Sequence, residues 1–415
     1  MKTTLQLAGS FCAVLLAATP CSAADWPQWR GVNRDDISGE TGLLKKWPEG
    51  GPKKVWAFED AGLGYSGYSI VGGTLYTMGA RDAVEYVIAV DTATGKEKWS
   101  VEAGPLYTNG WGDGPRCTPT VDGDMVYAIG GRGNLVCLKS ADGKKVWEAD
   151  LVSDLGGKLQ SWGYTESPII EGDLVVATPG GDQGTVAAFD KKTGKKKWQT
   201  KDWTDNAQYS SIIGVNLNGG RQLIQLTMQT LAGVDPKNGK VLWRSEFPGK
   251  TAVIPTPIFK DGQVFVAAGY GVGCKSVKVG AGNKVEELYA NTDMVNHHGG
   301  VVLVGDHLYG YSDRGGWTCM ELKSGEVVWQ EKAALKKGAI HCADGMLYLL
   351  EEDTGTVVLI EATPKGWDEK GRFVIEPQTE QRNPKGKVWT HPVVANGRLY
   401  LRDQELLFSY DVSGK

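Results

Sequence analysis

The chain has 415 residues, including 57 glycines and 15 tryptophans, and its formal net charge is −4. This charge argues against a surface that binds the phosphates of nucleic acids, and no stretch after the N-terminus approaches the roughly 18 to 20 apolar residues of a membrane span. The glycine and tryptophan content favours a turn-rich β protein with large aromatic anchors.

The N-terminus has the pattern of a secretory signal peptide. An early lysine precedes an apolar run over 5–18, and small residues follow at 21–24. We therefore predict a signal peptide at residues 1–23 and export to the periplasm or cell envelope. Pro20 stands before Cys21, where an acylated lipoprotein has a small residue, so we expect no lipid anchor.

A hairpin unit recurs along the chain. In one copy a strand ends at Asp91, a tight turn contains Gly95, and a second strand closes on Trp99. The copies are about 46 residues apart, which is room for the four short strands of one propeller blade. The Gly-x-x-x-Trp spacing recurs at Gly95/Trp99, Gly143/Trp147, Gly194/Trp198, Gly239/Trp243 and Gly325/Trp329, with weaker versions that end at Tyr289 and Phe373.

A second element, a short apolar strand that runs into a polar glycine turn, precedes each hairpin. Eight copies predict eight innermost strands, at 68–73, 117–123, 166–172, 210–219, 255–262, 299–305, 340–345 and 391–397. The last repeat lacks its closing strand, and Lys53-Lys-Val-Trp56 matches the closing strand at Lys144-Lys-Val-Trp147. We predict an all-β, monomeric, eight-bladed β-propeller of four-stranded antiparallel blades over 53–415, in which residues about 53–59 complete the last blade and leave no free sheet edge.

Residues 24–52 precede the repeats and show no strand periodicity. We expect this extension to pack on the propeller surface through three large aromatic side chains, those of Trp26, Trp29 and Trp47.

The repeat Asp-x-x-Thr-Gly-Lys-x-x-Trp resembles the tryptophan-docking repeat of the PQQ-like (quinoprotein dehydrogenase-like) β-propellers, over roughly residues 53 to 415. The start at 25–31 is also similar to exported single-domain members of that family. The resemblance implies that the repeat tryptophans wedge between adjacent blades and are structural, which concerns Trp56, Trp99, Trp147, Trp198, Trp243 and Trp329.

The family contains dehydrogenases, with PQQ and Ca²⁺ on the propeller axis, and non-catalytic scaffolds such as the BamB-type outer-membrane assembly factor. The sequence has neither the adjacent Cys-Cys pair expected over the quinone nor a Cys-x-x-Cys-His haem motif. Our first hypothesis is therefore a binding or scaffold propeller that presents its funnel to an envelope protein, a peptide or a glycan. The alternative is a PQQ-dependent oxidoreductase that acts on an alcohol or a sugar, and the sequence leaves open whether the protein is an enzyme.

Several side chains are candidates for an axial site under the alternative. Trp162 and Glu166 lead into the third innermost strand, where an indole can stack on a planar ring and a carboxylate can bind Ca²⁺. Asn296, Asp313 and Trp317 lie in the sixth blade and complete the predicted cofactor-binding set.

Three histidines fall near the innermost strands of consecutive blades. His298, His341 and His391 belong to the sixth, seventh and eighth predicted blades, whose innermost strands converge at the axis. They are candidates for metal ligands or, alternatively, for polar residues that line the funnel, because a register slip of one residue turns a side chain to the other face.

Overall fold

The computed structural model describes residues 25–414. The predicted signal peptide at 1–23 lies outside the described residues. Apart from the 3-10 turn Ala281–Asn283, all regular structure in the described chain is β-strand. No helix there is long and apolar enough to cross a membrane.

The predicted fold, an eight-bladed propeller, is confirmed. Blades 1 to 7 are each built on an antiparallel meander of four strands in chain order, and blade 8 has three such strands and a fourth from the N-terminal part of the chain. Blades 1 to 4 comprise Ser69–Val71, Thr74–Arg81, Val84–Asp91 and Glu97–Pro105; Thr120–Asp122, Met125–Ile129, Asn134–Lys139 and Lys145–Asp150; Ile169–Glu171, Leu174–Ala177, Ala187–Asp190 and Lys196–Gln199; and Ile213–Leu217, Gly220–Leu226, Thr230–Val234 and Val241–Glu246.

Blades 5 to 8 follow the same plan. They comprise Ile258–Lys260, Gln263–Ala268, Gly273–Val279 and Val285–Asn291; Val301–Val304, His307–Ser312, Gly316–Glu321 and Val327–Glu331; Gly338–Ala343, Met346–Glu351, Thr356–Glu361 and Glu369–Val374; and Val393–Ala395, Arg398–Asp403 and Leu406–Asp411.

The N-terminal strand Lys53–Phe58 closes the ring. It pairs antiparallel with Leu406–Asp411 and becomes the outermost strand of blade 8, with Trp56 opposite Ser409. Every blade therefore has four antiparallel strands, and Lys53–Phe58 lies in one sheet with Leu406–Asp411.

Neighbouring blades contact one another through a repeated aromatic-on-glycine arrangement. Trp99 of blade 1 lies against Gly143 in the turn of blade 2, and its indole Nε1 donates to the Ser140 carbonyl at 3.1 Å. A Cβ on Gly143 would lie 2.7 Å from the Trp99 ring, so glycine is what lets the ring approach. The same arrangement joins Trp56 to Gly95, Trp147 to Gly194, Trp198 to Gly239 and Tyr289 to Gly325.

The remaining aromatic positions vary this contact. Phe373 of blade 7 packs on Gly51, just before the closing strand. Trp329 donates to the Thr363 carbonyl of blade 7 at 2.9 Å. Trp243 instead donates to Gln222 of its own blade at 2.8 Å.

The first strand of each blade is innermost. The first strands of blades 1 to 4 and of blades 6 to 8 contact those of the next blade, whereas the fourth strands are largely exposed. The five cysteines at 117, 137, 274, 319 and 342 are all buried and free. They act as small apolar side chains within the blades.

The N-terminal extension lies deeper than the surface position expected from the sequence, because it crosses the axial channel. Trp26 pairs with Ile70 of blade 1, and Val121 of blade 2 donates to the Pro27 carbonyl at 2.7 Å. Ile37–Ser38 adds a parallel strand to blade 7. Glu40 accepts from the backbone of blade 8.

Two buried arginines of this extension bind carbonyl groups around the axis. Arg34 donates to the Ser167 carbonyl of the loop before blade 3 and to the Ile212 carbonyl before blade 4, at 3.1 and 2.8 Å. Arg30 donates to Val301 of blade 6 at 2.6 Å. With the hydrogen bond from Trp29 to Thr256 before blade 5, the segment contacts all eight blades.

The aromatic-on-glycine contact can be tested with two glycines that share a left-handed backbone. Gly143 and Gly123 have φ values of +73° and +59°, but a Cβ at Gly123 would meet no atom within 4 Å. Both alanine variants should lose about 1 to 2 kcal/mol from backbone strain, and Gly143→Ala should lose about 2 kcal/mol more because it displaces Trp99. Urea denaturation measures the apparent free energies of unfolding; equal losses would show that the indole contact contributes nothing.

Candidate functional site

A cavity of about 460 Å³ opens on the propeller axis. The loops that enter the innermost strands converge there, so seven of the eight blades contribute to its wall, and the N-terminal extension forms its floor. The lining is mainly aromatic and basic, and consists of Trp29, Arg30, Tyr65, Trp111, Arg116, Trp162, Thr165, Ser167, Tyr209, Ser211, Thr251, Ala252, Ile254, Pro255, Thr256, Tyr270, His297, His298, Gly300, Trp389 and His391.

One wall of the cavity is a continuous belt of rings. Tyr270 meets His297 with the ring centroids 4.4 Å apart, His297 meets His298 at 5.2 Å, and His298 meets Trp389 at 5.7 Å. Trp389 then meets Tyr65 at 5.1 Å. Edge-on and tilted contacts of this kind fix the ring orientations, so the wall is formed before a ligand arrives.

The opposite wall contains Trp162, which meets Tyr209 edge-on at a centroid distance of 5.7 Å. Trp111 stands at the mouth, with 46% of its surface exposed. Of the residues predicted to bind a cofactor, Trp162 is the one that lines the cavity.

Arg116 is the basic group of the wall. It donates to the carbonyls of Gly112 and Gly114 at 2.7 and 2.8 Å, and its guanidinium lies over the rings of Tyr65 and Tyr107, at 5.2 and 5.6 Å from their centroids. These contacts hold the cation in one position at the side of the cavity.

The floor is formed by Trp29 and Arg30, and a buried acidic group lies beneath it. Asp36 is 3.4 Å from Arg30 and 2.9 Å from His341 Nδ1. Burial alone would raise the pKa of Asp36, but Arg30, His341 and His391 outweigh that effect and hold the pKa well below its usual range.

The three histidines of the predicted metal set do not share a centre. His341 Nδ1 faces Asp36 and its Nε2 accepts from the Val394 amide at 3.1 Å, so both ring nitrogens are used. His391 Nε2 bonds the His298 carbonyl at 2.8 Å. Within residues 25–414, no group of three or more His, Cys, Asp or Glu side chains could hold a metal ion.

A polar network lies behind the belt. His298 Nε2 is 2.8 Å from Glu352, which also accepts from Trp389 Nε1 at 2.8 Å. Burial alone would raise the pKa of Glu352, but His298, Trp389 and Lys337 outweigh it and lower the pKa to about 2.

His297 is neutral at physiological pH. Its Nδ1 lies 2.6 Å from the Lys337 ammonium, which in turn is 3.0 Å from Asp313. Burial, followed by the charges of His298 and Lys337, lowers the pKa of His297 to about 3. With Nδ1 as the acceptor, Nε2 carries the proton and is the donor that this ring offers.

Glu166 does not line the cavity. Its carboxylate accepts from the Thr178 amide and hydroxyl at 2.6 and 2.9 Å and from Gln225 at 3.3 Å. Burial raises the pKa of this carboxyl to about 7. The side chain fixes the start of blade 3.

The other predicted residues of blade 6 also lie outside the lining. Asn296 is buried and donates to the carbonyls of Gly300 and Tyr311, and Asp313 pairs with Lys337. Trp317 is buried and donates to the Lys336 carbonyl at 3.2 Å.

No Asp or Glu of the described chain lines the cavity. Ca²⁺ takes six to eight oxygen ligands, with carboxylates foremost among them. The Ca²⁺ that accompanies PQQ in the family's dehydrogenases therefore does not fit the groups that face this space.

The sequence patterns did not indicate Trp389, Tyr65, Tyr270, Arg116 or Trp111. All five lie in irregular loops and turns, where no period of two applies. Four of them precede a predicted innermost strand by a few residues, so a search of the segments before the eight strands for aromatic and basic residues would have found them.

A family model described as outer membrane protein assembly factor BamB matches residues 83–331. The outer membrane protein assembly factor BamB of Burkholderia pseudomallei (strain K96243) is 27% identical over 248 residues. That alignment covers 48% of this chain, and the chain spans only 61% of the relative's length.

Two solved structures share the fold. BamB from Moraxella catarrhalis superposes with a TM-score of 0.62 at 15% identity, over 86% of this chain and 97% of its own. Quinohemoprotein alcohol dehydrogenase from Comamonas testosteroni gives a TM-score of 0.64 at 13% identity, over 94% of this chain and 81% of its own. These two proteins share one fold, but one is named BamB and the other an alcohol dehydrogenase. The fold alone therefore does not distinguish the scaffold hypothesis from the oxidoreductase hypothesis.

The structural role of Glu166 predicts a pH dependence. Because its folded-state pKa is raised from 4.5 to about 7, the folded protein keeps a proton that the unfolded chain has released, and stability falls as the pH rises through this window. As the pH rises from 4.5 to 8, the free energy of unfolding of Glu166→Gln should therefore increase by about 3 kcal/mol relative to that of the wild type.

Urea denaturation across that range measures this difference, and Glu102→Gln, at an exposed position, is the control that should show no such trend. Parallel curves for Glu166→Gln and wild type would contradict the assignment.

Proposed function

Because the chain belongs to the PQQ-like β-propeller family whose model is described as outer membrane protein assembly factor BamB, we propose that it is a non-catalytic binding propeller of the cell envelope. Its ligand is a glycan whose end enters the axial cavity. The observation that carries this proposal is the cavity itself, a preformed aromatic space without a lining carboxylate.

The size and chemistry of the cavity favour a sugar. A volume of about 460 Å³ lies within the usual range of small-ligand sites, about 300 to 1,000 Å³. Sugar rings have apolar C–H faces that pack on aromatic side chains, and hydroxyl groups that need donors and acceptors at the edges. The lining supplies both, because it contains Trp162 and Trp389 together with the polar groups of His297 and Thr165.

A protein partner fits the cavity less well. Protein–protein interfaces of standard size are shallow patches that bury about 800 Å² on each partner, whereas this site is a deep space on the axis. A basic peptide would also meet Arg116 and Arg30 with no acidic lining group to receive it.

The alternative, a PQQ-dependent oxidoreductase, has less support. Of its predicted cofactor-binding residues, Glu166, Asn296 and Asp313 lie outside the lining, and the carboxylates of Glu166 and Asp313 bond to Thr178 and Lys337. Location in the periplasm or envelope rests on the signal peptide predicted at 1–23 and on the family.

Glycan binding is tested on an oligosaccharide array that contains neutral, amino and acidic sugars. Wild type should bind a subset of the sugars, and Trp162→Ala and Trp111→Ala should each weaken binding about two- to tenfold, because each removes a stacking face worth about 0.5 to 1.5 kcal/mol. Val328→Ala, an exposed apolar change on the outermost strand of blade 6, should bind as wild type does. Binding that survives both tryptophan changes would rule out the cavity as the site.

The alternative has its own measurement. Purified protein titrated with PQQ, with and without Ca²⁺, should show no Ca²⁺-dependent quinone absorbance and no dye-linked oxidation of alcohols or sugars. Stoichiometric PQQ binding that requires Ca²⁺, together with dye reduction, would favour the oxidoreductase.

A further inference from the structure

The charges that face the axial cavity are all of one sign. Its lining contains Arg30, Arg116 and three histidines, and no carboxylate of the described chain. The charge of Arg30 is compensated beneath the floor by Asp36, at 3.4 Å. The guanidinium of Arg116 makes no ion pair within residues 25–414. Its hydrogen bonds go to two backbone carbonyls, and the carboxylates of Glu85 and Asp113 attract it without contacting it.

Arg116 keeps unused donors. A guanidinium has five N–H groups, and the carbonyls of Gly112 and Gly114 take two of them. Burial lowers the pKa of Arg116, which means that its environment has removed much of the water that would otherwise solvate the charge. A desolvated cation with three free donors stabilises an anion that enters the same space.

Hydrogen bonds and close packing hold the loop that carries Arg116. Asp113 accepts from the Asn109 amide at 2.8 Å, and the Gly114 amide donates to the Tyr107 carbonyl at 2.9 Å. At Gly112 a Cβ would lie 1.9 Å from the Tyr65 hydroxyl, so the loop packs against the belt without room for a side chain there. The cation is thus positioned in advance, which reduces the entropy lost on binding.

From these contacts we infer that the axial cavity selects an acidic sugar, whose carboxylate pairs with Arg116 while its ring packs on the aromatic walls. This inference rests on the proposed function and makes it specific: the ligand class is a hexuronic acid or a glycan that ends in one. Arg116 is the specificity-determining residue. The stacking surfaces would hold a neutral sugar as well, but a carboxylate forms a charge-assisted pair with the guanidinium that is stronger than a hydrogen bond to a neutral hydroxyl.

The test is isothermal titration calorimetry of the full exported chain at constant ionic strength. The probes are D-galacturonate and D-glucuronate, their neutral counterparts D-galactose and D-glucose, and quinoline-2-carboxylate as a planar acid without sugar hydroxyls. At least one uronate should bind about tenfold or more tightly than its neutral counterpart, since a hydrogen bond to a charged group contributes on that scale.

Variants assign the effect to one residue. Arg116→Gln should abolish the preference for the uronate, measured as the ratio of uronate affinity to neutral-sugar affinity, and Arg116→Lys should restore part of that preference. Arg132→Gln, which removes an exposed arginine of the same blade that also donates to a carbonyl, should behave as wild type. If Arg116→Gln fails to fold, the salt dependence of wild type serves instead: added NaCl should weaken uronate binding and leave neutral-sugar binding unchanged.

The outcomes separate this inference from the proposed function. Equal affinity for uronates and neutral sugars would overturn the inference and leave a glycan site in place. Stronger binding of quinoline-2-carboxylate than of any uronate would replace the sugar acid with a planar acid, which overturns both. Failure of every sugar to bind at millimolar concentration would also overturn both.

Discussion

Two buried arginines of the N-terminal extension donate hydrogen bonds to backbone carbonyls around the propeller axis. Eight sheets that converge on a channel leave backbone carbonyls along its rim, and a buried carbonyl without a donor costs free energy. Arg34 supplies donors to the loops before blades 3 and 4, and Arg30 to blade 6. The same segment also contacts the other blades. A single stretch of chain that crosses the channel therefore links all eight blades.

This crossing determines what the cavity can bind. The extension closes one end of the channel and turns it into a site with a floor of Trp29 and Arg30. The acidic groups around the axis bond to other groups of the protein. Asp36 pairs with Arg30 beneath the floor, and Glu166 accepts from the Thr178 amide at the start of blade 3. Glu85 acts in the same way, because it accepts from the Tyr107 and Gly131 amides. The ligand therefore meets aromatic faces, neutral donors and one guanidinium that makes no ion pair.

The sequence predicted the parts of the fold that repeat. Glycine and tryptophan at a fixed spacing indicated the blades, and the match between Lys53-Lys-Val-Trp56 and Lys144-Lys-Val-Trp147 correctly predicted ring closure. The cavity was harder to predict because its walls are irregular loops. Trp162 was found because it lies beside a predicted strand. Glu166, four residues on, lies outside the cavity, as expected where a small change of register reverses a side chain.

The axial cavity, as we infer, holds an acidic sugar against Arg116. The most direct measurement is a crystal structure of the protein soaked with an oligogalacturonate. A sugar ring should lie in the cavity beside Trp162 and Trp389, with a carboxylate oxygen within hydrogen-bond distance of the Arg116 guanidinium. A sugar bound on the outer surface, or one in the cavity with its carboxylate turned away from Arg116, would contradict this inference.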